Sequence, residues 1–135
     1  MRLIPGALAG LVATLVLSAI MMAKSMMGLM PELDVITMLA GMMGAGLAMG
    51  WIAHFMIGIG YGVVLSIVEN AFELSLTLKG MLLGALGWLV MMVAVMPMAG
   101  AGLFGLELGM PVPVMTLVLH LIFGAVLGFT YDRIR

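Results

Sequence analysis

The chain has no cysteine, and only 8% of its 135 residues are charged. Without thiols, disulfides, thiolate-held iron–sulfur clusters and cysteine catalysis are excluded. Soluble domains carry roughly 25% charged residues, so this chain has too little charge to cover a soluble surface. Basic residues number only five, with a formal net charge of −1 and no basic run, which removes nucleic acid from the partners. Proline is sparse, at five residues, and aromatics make up 7%. Several motifs are also missing: a Ser-His-Asp order, a His-Glu-x-x-His pair, a phosphate loop, and twin carboxylates inside an apolar run. Hydrolysis and ATP-driven work therefore have no residues to carry them. An enzyme is not the expected class.

What is present is apolar. Hydrophobic residues make up 65% of the sequence. Four stretches lack Asp, Glu, Lys and Arg altogether: Leu3 to Ala23, Val35 to Val68, Gly80 to Leu106, and Leu108 to Tyr131. Each is long enough for the roughly 20 residues that a helix needs to cross the hydrocarbon core. The first resembles a signal peptide in having Arg2 ahead of an apolar run. It exceeds the usual apolar region of about 7–15 residues and matches the third span, so it is read as a retained span. The predicted spans are about Pro5–Met22, Ala48–Val68, Gly80–Met98 and Pro111–Tyr131. Pro31, Glu32 and Asp34 signal a helix start and predict a short extra helix over about Val35–Met43 in the first connector. Pro97 is expected to kink or unwind the end of the third span. Lys24 is expected to snorkel to the headgroups, and Trp51 and Tyr131 to sit in interfacial belts.

The sequence also repeats itself. His54 with Gly58 and Gly62, and His120 with Gly124 and Gly128, both read His-x3-Gly-x3-Gly. Met21, Met22 and Met26 align with Met91, Met92 and Met96, and Gly10 aligns with Gly80. The matched histidines lie 66 residues apart and the matched methionines 70, so the second connector is shorter by about one helical turn. The expected architecture is a single transmembrane domain over residues 1–135, an all-α four-helix bundle. It consists of two parallel two-helix repeats, about 3–70 and 75–135. A Gly-x3-Gly pair in every span provides the close backbone approach that drives helix association in lipid. Arg2, Lys79, Arg133 and Arg135 fall on one side and Lys24 alone on the other, which places both termini in the cytoplasm.

Chemistry centres on the two histidines, the only ones in the chain. A titratable group inside a membrane is costly and marks a functional site by default. Their matched depths suggest a shared site in the outer half of the bundle. Imidazole is a usual axial ligand of haem iron. Gly58, Gly62, Gly124 and Gly128, on one face with the histidines, would leave room for a flat macrocycle. Haem b is the first cofactor expected, in an electron-transfer or haem-handling accessory. In the alternative, each histidine donates to a backbone carbonyl or to its counterpart, and the glycines serve helix packing. Methionine supplies a second constellation, with 18 residues. Met22 and Met26, repeated as Met92 and Met96, are thioethers at helical spacing that select Cu(I) or simply fill core gaps. The acids Glu32, Asp34 and Glu107 read as caps and dipole partners. Two rival functions remain open. One is a structural subunit that packs on a larger membrane complex or self-associates through its glycine faces. The other is passage of Cu(I) or a small solute.

The stretches Lys24–Asp34, Gly50–Gly58, Val95–Gly105 and Leu117–Gly124 resemble a family of small bacterial membrane proteins with no assigned function. The resemblance covers nearly the whole chain. It implies a four-span protein of the bacterial inner membrane and brings no activity, cofactor or site residue with it.

Overall fold

In lipid a backbone must satisfy its own hydrogen bonds, and an apolar chain of this kind does so as helices. The computed structural model describes residues 1–135. Four helices are long and apolar enough to cross a membrane: Leu3–Met26, Leu47–Ile67, Leu76–Met98 and Val112–Ile134, here called the first to fourth spans. The protein is a multi-pass, all-helical membrane protein whose apolar helix faces contact lipid. A connector helix, Val35–Met42, follows the first span, and a 3-10 turn, Leu103–Leu108, follows the third. The Asp34 carboxylate caps the connector helix by accepting from the Thr37 backbone N–H at 3.0 Å. That hydrogen bond, ahead of a second from the Thr37 hydroxyl, holds the Asp34 carboxyl below the usual carboxylate range. Ser75 caps the third span in the same way, accepting from the Leu78 N–H at 3.2 Å.

The third span runs on to Met98, past Pro97, without unwinding. Relief comes one turn earlier, where Met91–Val95 forms a π-helical turn. A proline ring clashes with the carbonyl four residues before it. Widening that turn moves the carbonyls aside and lets the helix continue.

The spans sit at the corners of a square, with one edge open. The first packs on the second, the third on the fourth, and the first on the fourth. The second and third scarcely touch, and the second and fourth are diagonal. Glycines set the two closest edges. A Cβ on Gly10 would meet the Gly58 carbonyl and lie 2.9 Å from Ile59 Cα. In the other pair, a Cβ on Gly80 would meet the Gly124 carbonyl and lie 2.9 Å from Gly128 N. Gly62 abuts the Gly6 carbonyl, and Gly128 the Leu76 carbonyl. Both pairs of contacts follow the repeat register: Gly10 corresponds to Gly80, Gly58 to Gly124, Gly6 to Leu76 and Gly62 to Gly128. The two halves are thus packed by one rule, backbone on backbone at matched positions. Gly58, Gly62, Gly124 and Gly128 all meet a partner helix there and serve packing; of the four only Gly58 also borders the cavity that His54 and His120 line.

Ala9, Ala13, Leu65, Leu127 and Tyr131 form a core near the chain termini, between the two halves. Tyr131 is fully buried and donates its hydroxyl to Glu69 Oε2 at 2.8 Å, so it lies inside the bundle and not in an interfacial belt. The Glu69 carboxylate also meets the Met1 amino group at 2.9 Å, and its backbone carbonyl accepts from Lys79 Nζ. The hydrogen bonds to the carboxylate, the amino group's first and then Tyr131's, hold the Glu69 carboxyl below its usual range.

Candidate functional site

Lys24 closes the other end of the bundle. Apolar surroundings and a lone ammonium predict snorkelling, but the side chain turns inward and is buried. Its Nζ donates to the carbonyls of Leu29, Met30 and Leu33 at 3.0, 2.9 and 3.1 Å. An ammonium has three N–H donors, and here each finds a carbonyl where the chain leaves the helix; the Met30 carbonyl also accepts the Leu33 backbone N–H at 3.0 Å. The turn between the first span and the connector helix is thereby tied over the end of the bundle.

Beneath this cap lies a cavity of about 260 Å³ that all four spans line. His54 and His120 both line it, about 10 and 12 Å along their helices from the connector end. Lys24, Leu33, Val35 and Met38 form its roof. Its floor is Tyr61 and Phe123, whose rings meet edge to face at 5.5 Å.

Each histidine has one nitrogen engaged and one free. Ser18 donates its only proton to the Thr14 carbonyl at 2.7 Å, so toward His54 Nε2, at 3.1 Å, it can only accept. His54 therefore carries its proton on Nε2 and presents the lone pair of Nδ1. His120 donates from Nδ1 to the Thr116 carbonyl at 2.8 Å and presents the lone pair of Nε2. No buried side-chain nitrogen or oxygen lacks a partner, so both free nitrogens are accessible. Trp51 packs edge-on against the His54 ring, with centroids 5.9 Å apart, and steadies its orientation. A ring nitrogen fixed by an N–H to an oxygen is the arrangement that prepares the other nitrogen to bind.

The two repeats also differ in sequence at the position that bonds His54. The 70-residue shift that takes Gly10 to Gly80 takes Ser18 to Trp88. In the first repeat a small hydroxyl reaches the histidine. In the second, the matched residue is an indole that donates to the Pro113 carbonyl at 2.9 Å and to the Thr116 hydroxyl at 3.1 Å. His120 is left with the Thr116 carbonyl. Backbone symmetry is kept while the histidine partners differ.

The methionines divide differently from the sequence expectation. Met22 and Met26 are exposed on the bundle's outside, at 57% and 87%, while Met92 and Met96 are fully buried among Leu33, Ala101 and Val112. The four are not gathered at one place. Their repeat-matched neighbours Met21 and Met91 do line the histidine cavity, and Met91 opens the π-helical turn. One residue is about 100° of helix rotation, enough to exchange cavity for lipid. Met21, Lys24, Tyr61 and Met91, which line the cavity, and Ser18, which bonds His54, are the residues that sequence reasoning missed. The available signals were a serine in the middle of the first apolar span and a lysine just inside the end of the same span.

Comparison with known proteins fits a chain without recognised chemistry. A family model described as a family of unknown function, DUF6789, matches residues 1–135. The chain belongs to that family. No curated protein and no solved structure matches it. The membership covers the whole chain and assigns no activity to any residue.

Proposed function

We propose that this protein is a binding module of the bacterial inner membrane that holds a small ligand between His54 and His120. Both termini are cytoplasmic in this reading, on the positive-inside pattern of Arg2, Lys79, Arg133 and Arg135. The site then lies in the outer half of the bilayer. Reporter fusions at Arg135 and between Glu32 and Asp34 are expected to report opposite sides. Arg135 reporting the outside would reverse the orientation.

The observation that carries the binding reading is the pair of free imidazole nitrogens at one cavity, each with its second nitrogen tied to an oxygen. Burial of such groups is costly unless something uses them. The ligand must bring what a lone pair accepts, either a Lewis acid or a hydrogen-bond donor. Haem b meets that chemical need. However, its macrocycle exceeds a 260 Å³ space, which falls below the roughly 300–1,000 Å³ of sites for drug-sized molecules. Housing it would require the spans to part. Cu(I) fits by size and by the thioethers of Met21 and Met91. Against it, no carboxylate lines the cavity, and Lys24 does.

Native mass spectrometry from lipid nanodiscs, combined with a visible spectrum, tests the reading. The parent is expected to carry a small-molecule or metal adduct that His54→Phe and His120→Phe both lose. An adduct kept by both variants, or none in the parent, would count against the two-histidine site. A Soret band would restore the porphyrin as the ligand.

A further inference from the structure

The open edge of the square gives the cavity a side door. Between the second and third spans Tyr61 lies against Gly87, where a Cβ would collide with the phenol ring, and few other residues approach. About one turn nearer the connector end, Ile57 and Val90 both line the cavity and are 49% and 54% exposed on the bundle's outside. The same two side chains thus border the cavity and the lipid. On the other three edges the spans pack together, and the Lys24 cap covers the connector end. The path into the cavity therefore runs through the hydrocarbon, and a molecule using it must dissolve there.

Three features select the polar part of that molecule. The lone pairs at His54 Nδ1 and His120 Nε2 accept hydrogen bonds and do not donate them. The Lys24 ammonium and the lack of any lining carboxylate work against a cation. The edge-to-face Tyr61–Phe123 floor offers an aromatic surface to which another ring packs favourably. A cavity of about 150 Å³ already holds benzene, so 260 Å³ takes a substituted ring. Resting on the two-histidine reading above, we propose that the ligand is a lipid-soluble aromatic diol of the hydroquinone class. It enters sideways between Ile57 and Val90 and donates its two O–H groups to His54 Nδ1 and His120 Nε2. The proposal is for binding, with no change of oxidation state at the site.

The class makes a sharp comparison available, because the matching quinone has the same ring and tail but only acceptor oxygens. Binding of decyl-substituted hydroquinone and of its quinone is measured by calorimetry on protein in nanodiscs under argon. The hydroquinone is expected to bind at least tenfold more tightly. His54→Phe and His120→Phe are each expected to weaken it tenfold or more, and Val90→Trp to slow its association. Methylhydroquinone, which has no tail to thread, should bind Val90→Trp nearly as it binds the parent. Equal binding of quinone and hydroquinone by the parent overturns the proposal without relying on any variant. Unaltered association of the tailed diol with Val90→Trp overturns the sideways entry. If neither diol binds while the native adduct is still lost in both histidine variants, the diol class is overturned and the two-histidine site stands.

Discussion

Gly124→Leu is expected to prevent the third and fourth spans from closing. A Cβ at position 124 would fall on the Gly80 carbonyl, 2.7 Å from Gly80 C and 2.8 Å from Met81 Cα. All of these are backbone atoms of the facing helix, so no rotamer change relieves the overlap. The helices must separate along the most extensive interface in the protein. Overpacking of a tight core costs about 1–3 kcal/mol and at times more. A rigid backbone obstacle, together with lost contact along the rest of the seam, belongs at or above the top of that range. A domain with about 5–15 kcal/mol of net stability loses a large share of it. Gly60→Leu is the control, because a Cβ at Gly60 meets nothing within 4 Å. Steric trapping or thermal melting in nanodiscs measures both. Gly60→Leu should behave as the parent, and Gly124→Leu should be misfolded or strongly destabilised. If the two variants melt alike, the glycine seam is not a close backbone contact.

The second large effect is expected from Lys24→Met. The substitution keeps an apolar stem of similar length and removes only the ammonium. It leaves the Leu29, Met30 and Leu33 carbonyls without their shared donor. Hydrogen bonds from charged groups contribute about 1.5–3 kcal/mol each, and an orphaned acceptor costs about 1–3 kcal/mol. Water reaching the opened turn recovers part of this, so the net loss is on the order of 3 kcal/mol. It should be local, because the glycine seams do not depend on the cap. Hydrogen exchange should show the amides of the turn and of the connector helix, Val35–Met42, opening about 100-fold more often, with those of the four spans unchanged. Unchanged exchange in the turn would mean that Lys24 does not tie it down. Because Lys24 also roofs the cavity, the variant should bind any ligand with faster exchange.

The spans and their pairing were legible because each rests on local chemistry. Charge-free runs longer than the bilayer, an Asp34 cap ahead of the connector helix and each copy of the His-x3-Gly-x3-Gly register are all set by residues close together in the chain. Equal spacing in the two halves also implied equal packing, and Gly10 on Gly58 recurs as Gly80 on Gly124. Rotation of each helix about its own axis was not legible. In water an apolar face must turn inward, but lipid tails are as apolar as a leucine, so hydrophobicity does not separate core from surface in a span. That is why Met21 and Met22 could not be told apart, although one lines the cavity and the other faces outward. The bonds from Ser18 to His54, 36 residues apart, and from the Trp88 indole to the Thr116 hydroxyl are likewise contacts between helices. Only the assembled bundle settles which imidazole nitrogen is free. The inward turn of Lys24 depended on three carbonyls that converge as acceptors only once the chain has bent. The sequence by itself determined four spans, two repeats and the depth of two histidines. The tertiary structure decided which faces meet, which nitrogens stay free and which edge of the bundle stays open, because those depend on steric fit between helices and not on the affinity of any one helix for its surroundings.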